Sequence, residues 1–215
     1  MKCDKKTMLL YAVTDRAWVG ELSLYEQVEA ALQNGVTCIQ LREKELDEEA
    51  FLAEALRLAD LCRRYKVPFI VNDNVDVAIR CGADGVHVGQ EDMVASDVRA
   101  RVGDGMMIGV SAHSVEEALA AVKNGADYLG LGAVFSTATK TDVNVMPPQT
   151  LRAICAAVDI PTVAIGGISK ENILALAGSG VDGVAVVSAI FGANHPGAAT
   201  AELRVLAEEM VARHG

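Results

Sequence analysis

The sequence predicts a single α/β domain, residues 1–215, folded as a closed (β/α)8 (TIM) barrel. Eight short apolar runs follow one another at even spacing, amphipathic helical patterns separate most of them, and no low-complexity or proline-rich linker divides the chain. Strands that alternate with helices form a parallel sheet. The strand count favours a closed barrel over an open doubly wound sheet, since no G-x-G-x-x-G follows the first strand.

The strands are predicted in order along the chain. They lie near residues 8–13, 38–42, 69–71, 85–88, 107–110, 128–131, 162–165 and 183–187. The third and seventh open with Pro68 and Pro161, which a strand tolerates at its first position.

Helical patterns fill most of the gaps between these strands. One face of the first helix collects the apolar residues Leu24, Val28, Ala31 and Leu32. A long amphipathic helix follows Asp47, which is a plausible N-cap. Ser114 and Glu117 have the spacing of a capping box before another helix.

A weak internal repeat marks the even-numbered strands. "NGVTCIQL", "CGADGVHV", "NGADYLGL" and "SGVDGVAV" each place glycine second, then a small residue, then Thr or Asp, then an apolar strand. Each glycine follows a helical pattern, so we predict left-handed helix caps at Gly35, Gly82, Gly125 and Gly180.

Bulk composition argues against several classes of protein. The net charge of −10, from 19 basic and 29 acidic residues, disfavours general binding to nucleic acid or anionic membranes. The apolar run at residues 8–13 is too short for a signal peptide or a membrane span. The odd cysteine count without a C-x-x-C pair predicts reduced core thiols in a cytoplasmic protein at Cys3, Cys38, Cys62, Cys81 and Cys155.

Polar residues gather after the second strand, at the end of a barrel that carries active sites. Side chains alternate along "CIQLREK", so Gln40, Arg42 and Lys44 are predicted to point into the barrel mouth. Two cations so close repel each other unless an anion lies between them. The alternative is that the strand stops at Leu41 and the cations belong to a solvated loop.

Acidic residues follow the third and fourth strands. Asp73 and Asp92 would lie close together there, and carboxylate oxygens on adjacent loops suit Mg²⁺ that also binds a phosphate. Asn72 and Asp76 are candidates to orient these ligands, and the alternative for Asp76 is a solvated helix residue. His87 is predicted to face inward, either as a site residue or as a core histidine. The alternative for both aspartates is helix capping.

The segment after the sixth strand, residues 132–149, is long for a connecting loop and rich in hydroxyl groups. Thr137, Thr139 and Lys140 are natural hydrogen-bond donors to a phosphate, although the same composition also suits a solvated loop.

Gly166–Gly167 follow the seventh strand, and Val187–Ser188 follow the eighth. In barrels these two loops commonly bind a phosphate through backbone N–H groups. The sequence therefore predicts two anion sites, one with a metal near loops 2 to 4 and one at loops 7 and 8.

Several motifs together resemble the thiamine phosphate synthase family in order and spacing. They span Tyr11 to Ile190 and read "YAVTD", "QLREK", "VNDNVDVA", "GVHVGQED", "GVSAHS", "YLGLGAVFSTATK", "AIGGI" and "VAVVSAI". The resemblance implies a (β/α)8 barrel that joins hydroxymethylpyrimidine diphosphate to a thiazole phosphate with release of pyrophosphate. One departure is Ser136, where the family commonly has proline.

The resemblance also implies a role for each candidate residue. The pyrimidine would contact Gln40, Arg42 and His87. The diphosphate would contact Lys44, Asn72 and Lys140. Mg²⁺ would be held by Asp73 and Asp92. The thiazole phosphate would contact Thr137, Thr139, Gly167, Val187 and Ser188. The residues expected to act in the chemistry are Lys44, Ser111 and Lys140.

Other functions compete with this interpretation. A paralogous thiazole tautomerase would share the thiazole phosphate end, but it would not need both aspartates together with both lysines. A phosphosugar isomerase would need a general acid–base pair, and a precursor sensor would bind without turnover. The expected partners are small-molecule substrates, not nucleic acid or membrane, and homo-oligomer formation stays open.

Overall fold

The computed structural model describes residues 3–90, 92–136 and 145–213 and confirms the (β/α)8 barrel. The strands are β1 Leu10–Val13, β2 Cys38–Leu41, β3 Phe69–Asn72, β4 Gly85–Val88, β5 Met107–Ala112, β6 Tyr128–Gly132, β7 Thr162–Ile165 and β8 Gly183–Val186. They pair in parallel in chain order, and β8 closes the barrel against β1.

Helices surround the barrel. They are α1 Leu24–Gln33, α2 Glu48–Tyr65, α3 Val75–Cys81, α4 Ala95–Val102, α5 Val115–Lys123, α6 Pro148–Ala157, α7 Ser188–Phe191 and α8 Pro196–Ala212. A short 3₁₀ helix, Ile173–Leu176, lies between β7 and β8. Among the described residues, no helix is long and apolar enough to cross a membrane.

The strand alternation divides the core into two layers. Leu10 and Ala12 of β1 pack outward, in the large apolar layer beneath the helices. Tyr11 and Val13 point into the barrel and belong to the small inner cluster. The inner cluster is completed by Met8, Cys38, Ile70, Met107, Tyr128, Val163 and Ala185. The barrel is therefore packed along its axis, and its open space lies at one end.

The internal repeat has a structural purpose at the amino ends of the strands. In each copy the Thr or Asp side chain accepts a hydrogen bond of 2.8–2.9 Å from a backbone N–H near the start of the preceding odd-numbered strand. The acceptors are Thr37, Asp84, Asp127 and Asp182. These hydrogen bonds thus connect the strands in pairs at the amino ends, opposite the end of the barrel where the site is predicted.

The predicted caps are confirmed with two qualifications. Gly35, Gly82, Gly125 and Gly180 all have positive φ between 64° and 97°, but Gly180 follows the 3₁₀ helix and a turn, not an α-helix. Asp47 caps α2 by accepting from Ala50 N at 2.9 Å. Ser114 caps α5 by accepting a hydrogen bond from Glu117 N. The Glu117 carboxylate accepts from His113 N and not from Ser114 N, so only one of the two hydrogen bonds of a capping box forms.

Replacing Asp84 with alanine is expected to lower the free energy of unfolding by about 1–3 kcal/mol, the usual cost of leaving a buried N–H without its acceptor. That N–H belongs to Phe69, which is 1% exposed and donates to the carboxylate at 2.9 Å. Denaturant unfolding measures the loss. Asp84→Asn keeps an acceptor oxygen and should lose less. Equal losses in the two variants would contradict the capping role.

Candidate active site at the carboxyl ends of the strands

A cavity opens at the carboxyl ends of the strands, as the barrel fold predicts. Strands or loops from most of the barrel contribute to its wall. The predicted site residues that line it are Gln40, Arg42, Asn72, His87, Ser111, Gly167, Val187 and Ser188. The structure therefore brings together residues that lie almost 150 positions apart in the chain.

The cavity floor is a chain of buried hydrogen bonds. Gln40 Nε2 donates to the Tyr11 hydroxyl at 2.7 Å, and the Tyr11 and Tyr128 hydroxyls lie 2.8 Å apart. Tyr128 then lies 3.0 Å from His87 Nδ1, and His87 Nε2 lies 3.0 Å from Ser111 Oγ. His87 thus faces inward as predicted, lines the cavity and is hydrogen-bonded at both ring nitrogens, and its role as a site residue stays a prediction.

Sequence reasoning missed the two tyrosines of this floor. Burial raises the pKa of both phenols well above the ordinary value, so Tyr11 and Tyr128 stay protonated. The period-two rule that placed Gln40 and His87 inside also applies to Tyr128, two residues before the position equivalent to His87. That alternation was the available signal.

Gly109 makes room for the tyrosine and the histidine. A Cβ at this position would lie 2.1 Å from the Tyr128 ring and 2.4 Å from His87 Nδ1. The neighbouring strands β4 and β6 hold both rings, so neither can move freely. The glycine is therefore required for the floor to form.

The variant Gly109→Ala is expected to lose about 1–3 kcal/mol of stability, a typical cost of overpacking a core, together with most of its activity. Thermal unfolding and initial-rate measurements test the two effects. Gly105→Ala is the matched control, because a Cβ there meets nothing within 4 Å. Unchanged activity in Gly109→Ala would show that the positions of His87 and Tyr128 do not matter.

Strand β2 ends at Leu41, so the predicted inward face does not extend through Lys44 as a strand. Arg42 still reaches the cavity wall, where its Nη1 donates to Asp15 Oδ2 at 3.0 Å. Lys44 is exposed, yet its Nζ lies 2.5 Å from Asp73 Oδ2. The strand therefore stops at Leu41, as the solvated-loop alternative expects, and each of the two cations pairs with a carboxylate.

The two predicted metal ligands lie next to each other, and neither is a helix cap. The N-caps of α3 and α4 are Asn74 and Val94. Asp73 has a left-handed backbone, with φ 60°, and Asp92 Oδ2 accepts from Gly89 N at 2.7 Å. The capping alternative is wrong for both aspartates.

Electrostatics at this pair suit a divalent cation. Burial raises the pKa of Asp73, Lys44 opposes the shift, and the neighbouring carboxylate of Asp92 adds to it. Asn72 Nδ2 donates to Asp73 Oδ1 at 2.7 Å and orients that carboxylate. No group of three acidic, histidine or cysteine side chains suited to a metal occurs among the described residues. Two carboxylates nevertheless fit Mg²⁺, which commonly completes its shell with water and phosphate oxygens.

The expectation that Asp76 orients the metal ligands is wrong. Its carboxylate pairs with Arg101 on the outer surface. Asp76 lies in the first turn of α3, where successive side chains rotate by about 100° per residue away from the barrel mouth. The alternative of a surface helix residue is the correct one.

The second predicted anion site lies on the other side of the cavity. Gly166 and Gly167 have φ of 101° and 65°, and Asn172 Nδ2 donates to Gly167 O at 2.8 Å. A Cβ on Gly167 would lie 2.2 Å from Ser136 O, so only glycine allows the loops after β6 and β7 to approach this closely. The other predicted residues of the loop after β6, Thr137, Thr139 and Lys140, lie outside the described residues.

His113 is a third residue that sequence reasoning missed. It lines the cavity just beyond Ser111, and its Nδ1 lies 3.1 Å from Glu117 Oε2. It lies one residue past the end of β5, but the strand predicted from the sequence ended at residue 110, so the prediction did not place this histidine at the strand end.

A family model, curated relatives and a solved structure relate this chain to the same family. The sequence model of the thiamine monophosphate synthase family matches residues 10–190. A thiamine-phosphate synthase from Clostridium acetobutylicum is 47% identical over 184 residues, 86% of this chain and 87% of that protein. The one from Chloroflexus aurantiacus is 48% identical over 198 residues, 92% and 91% of the two chains. A solved thiamine phosphate pyrophosphorylase from Pyrococcus furiosus has a TM-score of 0.89 and 42% identity, covering 96% of this chain and 98% of its own.

Proposed function

The chain belongs to the thiamine monophosphate synthase family, and from this premise we propose its reaction and the roles of its residues. It is a transferase of thiamine biosynthesis that joins hydroxymethylpyrimidine diphosphate to a thiazole phosphate, forming thiamine phosphate and pyrophosphate. The observation that carries the residue roles is the shared cavity, with the acidic pair and Lys44 beside Asn72 at its rim and the glycine-rich loop on its wall.

The diphosphate binds at the rim formed by the loops after β2, β3 and β4. Asp73 and Asp92 would hold Mg²⁺, which would supply neutralisation of the charge that develops on the leaving diphosphate. Lys44 lies against Asp73, so its ammonium group can contact the same diphosphate oxygens. Asn72 keeps Asp73 in place and is itself on the cavity wall. Lys140 is proposed as a further diphosphate contact.

The thiazole phosphate binds across the cavity, at the loops after β7 and β8. Gly167 lets the backbone approach the phosphate, and Val187 and Ser188 present the start of α7 from the neighbouring loop. Thr137 and Thr139 are proposed to close the phosphate site from the loop after β6.

The pyrimidine lies between the two anion sites, over the floor of hydrogen bonds. Gln40, Arg42 and His87 surround it, and Ser111 lies beside the bond that breaks. Diphosphate leaves the methylene carbon, the amino-pyrimidine ring stabilises the cation, and the thiazole nitrogen attacks. Anchoring both phosphates makes that attack effectively unimolecular. The chemistry needs no protein nucleophile, and burial raises the pKa of all five cysteine thiols.

The remaining expectations follow from composition. We propose a cytoplasmic enzyme whose partners are its small-molecule substrates. The five free thiols support a reducing compartment, and the net charge of −10 supports the absence of nucleic-acid partners.

A product assay tests this function directly. Purified protein, both substrates and Mg²⁺ should give thiamine phosphate and pyrophosphate in equal amounts, and a chelator should abolish both until Mg²⁺ is restored. Omitting the thiazole phosphate is the matched control. No product from a folded protein would contradict the synthase and leave the tautomerase, which would isomerise its thiazole phosphate without a diphosphate substrate, or the sensor.

A further inference from the structure

The floor of the cavity holds two phenol groups that the reaction itself does not use. Tyr11 and Tyr128 are 1% and 0% exposed, so neither hydroxyl has solvent as its partner. Their rings meet edge to face with centroids 5.9 Å apart, and the Tyr128 ring also packs on His87 at 5.5 Å. Burying two hydroxyls in a packed core costs folding free energy unless each has a hydrogen-bond partner. The hydrogen-bond partners of the two hydroxyls therefore indicate the role of these tyrosines.

The hydrogen bonds along the floor have a direction. The amide Nε2 of Gln40 can only donate, so the Tyr11 oxygen accepts from it at 2.7 Å. Tyr11 then donates its own proton to Tyr128 at 2.8 Å, and Tyr128 donates to His87 Nδ1 at 3.0 Å. Because burial raises the pKa of both phenols, each keeps the proton that this order requires.

The reverse direction is less favourable. If His87 donated to Tyr128 and Tyr128 to Tyr11, the Tyr11 oxygen would accept twice. Its proton would then be directed at the neighbouring sulfur of Cys38, which is a weak acceptor. The forward direction instead gives every donor from Gln40 to His87 an oxygen or nitrogen acceptor.

The same donor-to-acceptor order of hydrogen bonds continues from the imidazole of His87 to Ser111 at the cavity. With Nδ1 accepting, His87 carries its proton on Nε2 and donates to Ser111 Oγ at 3.0 Å. Ser111 lines the cavity, and its backbone oxygen is held by Gln90 Nε2 at 2.6 Å. Its hydroxyl proton is then not used by the histidine and is available to an acceptor on a ligand in the cavity.

We propose that Tyr11 and Tyr128 are positioning residues that hold His87 as the Nε2–H tautomer and thereby make Ser111 a hydrogen-bond donor to an acceptor oxygen of the pyrimidine diphosphate. The proposal rests on the proposed function for the identity of that ligand. The order of hydrogen bonds within the protein does not depend on it.

The tautomer is measured by ¹⁵N NMR of the imidazole nitrogens in protein labelled at histidine. We expect the His87 Nδ1 signal at the position of an unprotonated nitrogen and Nε2 at that of a protonated one. The signals are assigned by their disappearance in His87→Asn. An Nδ1–H tautomer, or protons on both nitrogens, would overturn the proposal. Since the spectrum needs no turnover, this result is independent of whether thiamine phosphate is formed.

Phenylalanine variants of the two tyrosines distinguish a role in positioning His87 from a role in packing the core. Tyr128→Phe removes the donor to Nδ1, so the tautomer should shift toward Nδ1–H. Its kcat should fall about ten- to a hundredfold, the loss typical when the residue that orients a functional histidine is removed, with the KM of each substrate nearly unchanged. Tyr11→Phe leaves that donor in place and should have a smaller effect on both readouts. The control Tyr65→Phe, on the outer surface, should have none.

Two outcomes count against the proposal in these variants. If Tyr128→Phe keeps the wild-type tautomer, or if kcat and both KM values change together with stability, the phenols only fill space. If Tyr128→Phe does not fold, the wild-type spectrum still decides, because an Nδ1–H tautomer of His87 in the wild-type protein would contradict the directed chain. A protein with the expected tautomer but no product would instead contradict the synthase function.

Discussion

Replacing Asp73 or Asp92 with asparagine is expected to lower kcat by about 10²–10³-fold, the loss typical when one electrostatic contact to a developing charge is removed. The two carboxylates lie close enough for Asp92 to raise the pKa of Asp73, and a divalent cation relieves their repulsion. Asparagine keeps the shape of the side chain and the oxygen that accepts from Gly89 N in the case of Asp92. Initial rates of pyrophosphate release at several Mg²⁺ concentrations measure the loss.

Asp76→Asn is the matched control for these variants. It also removes one carboxylate near the start of α3, but that carboxylate pairs with Arg101 on the surface. Its kcat and Mg²⁺ dependence should equal those of the wild type. Full turnover at low Mg²⁺ in both Asp73→Asn and Asp92→Asn would contradict the metal assignment.

Gly167→Ala is expected to raise the KM for the thiazole phosphate by about 10- to 100-fold, equivalent to losing one or two hydrogen bonds to a charged group. The added Cβ would lie 2.2 Å from Ser136 O, and φ of 65° is already strained for alanine. The loop must move, and the backbone N–H groups proposed to bind the phosphate move with it. The KM for the pyrimidine diphosphate should change little, because its contacts lie across the cavity.

The control for Gly167→Ala is Gly178→Ala. Gly178 has φ of 74°, so alanine there meets a similar backbone strain, but its Cβ would have nothing within 4 Å. We expect a modest loss of stability and unchanged KM values for both substrates. Equal increases in both KM values in Gly167→Ala would show that the cavity is disturbed as a whole and would contradict a separate phosphate site.

Much of the fold could be predicted because the barrel repeats one unit. Period-two alternation placed Gln40 and His87 inside, and the recurring Thr or Asp before the even strands marks a hydrogen bond present in all four copies. Left-handed glycines follow the same repeat. These features are local in sequence, so short stretches of the chain are enough to reveal them.

Features that depend on contacts between distant segments could not be predicted. Lys44 lies past the end of β2, and only the folded chain shows its ammonium group against Asp73. Asp76 differs, because its surface position follows from the local helix rotation after Asn74 and was one of the two alternatives that the sequence left open. The Tyr11–Tyr128 contact joins residues 117 positions apart, which no local pattern connects.

The position of the metal in the complex with substrate tests most directly the claim that Asp73 and Asp92 bind it. Crystals grown with Mn²⁺ in place of Mg²⁺ and with the pyrimidine diphosphate would be measured at the manganese absorption edge. We predict an anomalous peak between the carboxylates of Asp73 and Asp92, in contact with the diphosphate and close to Lys44. A bound diphosphate with its manganese elsewhere, or with none at this pair, would contradict the claim.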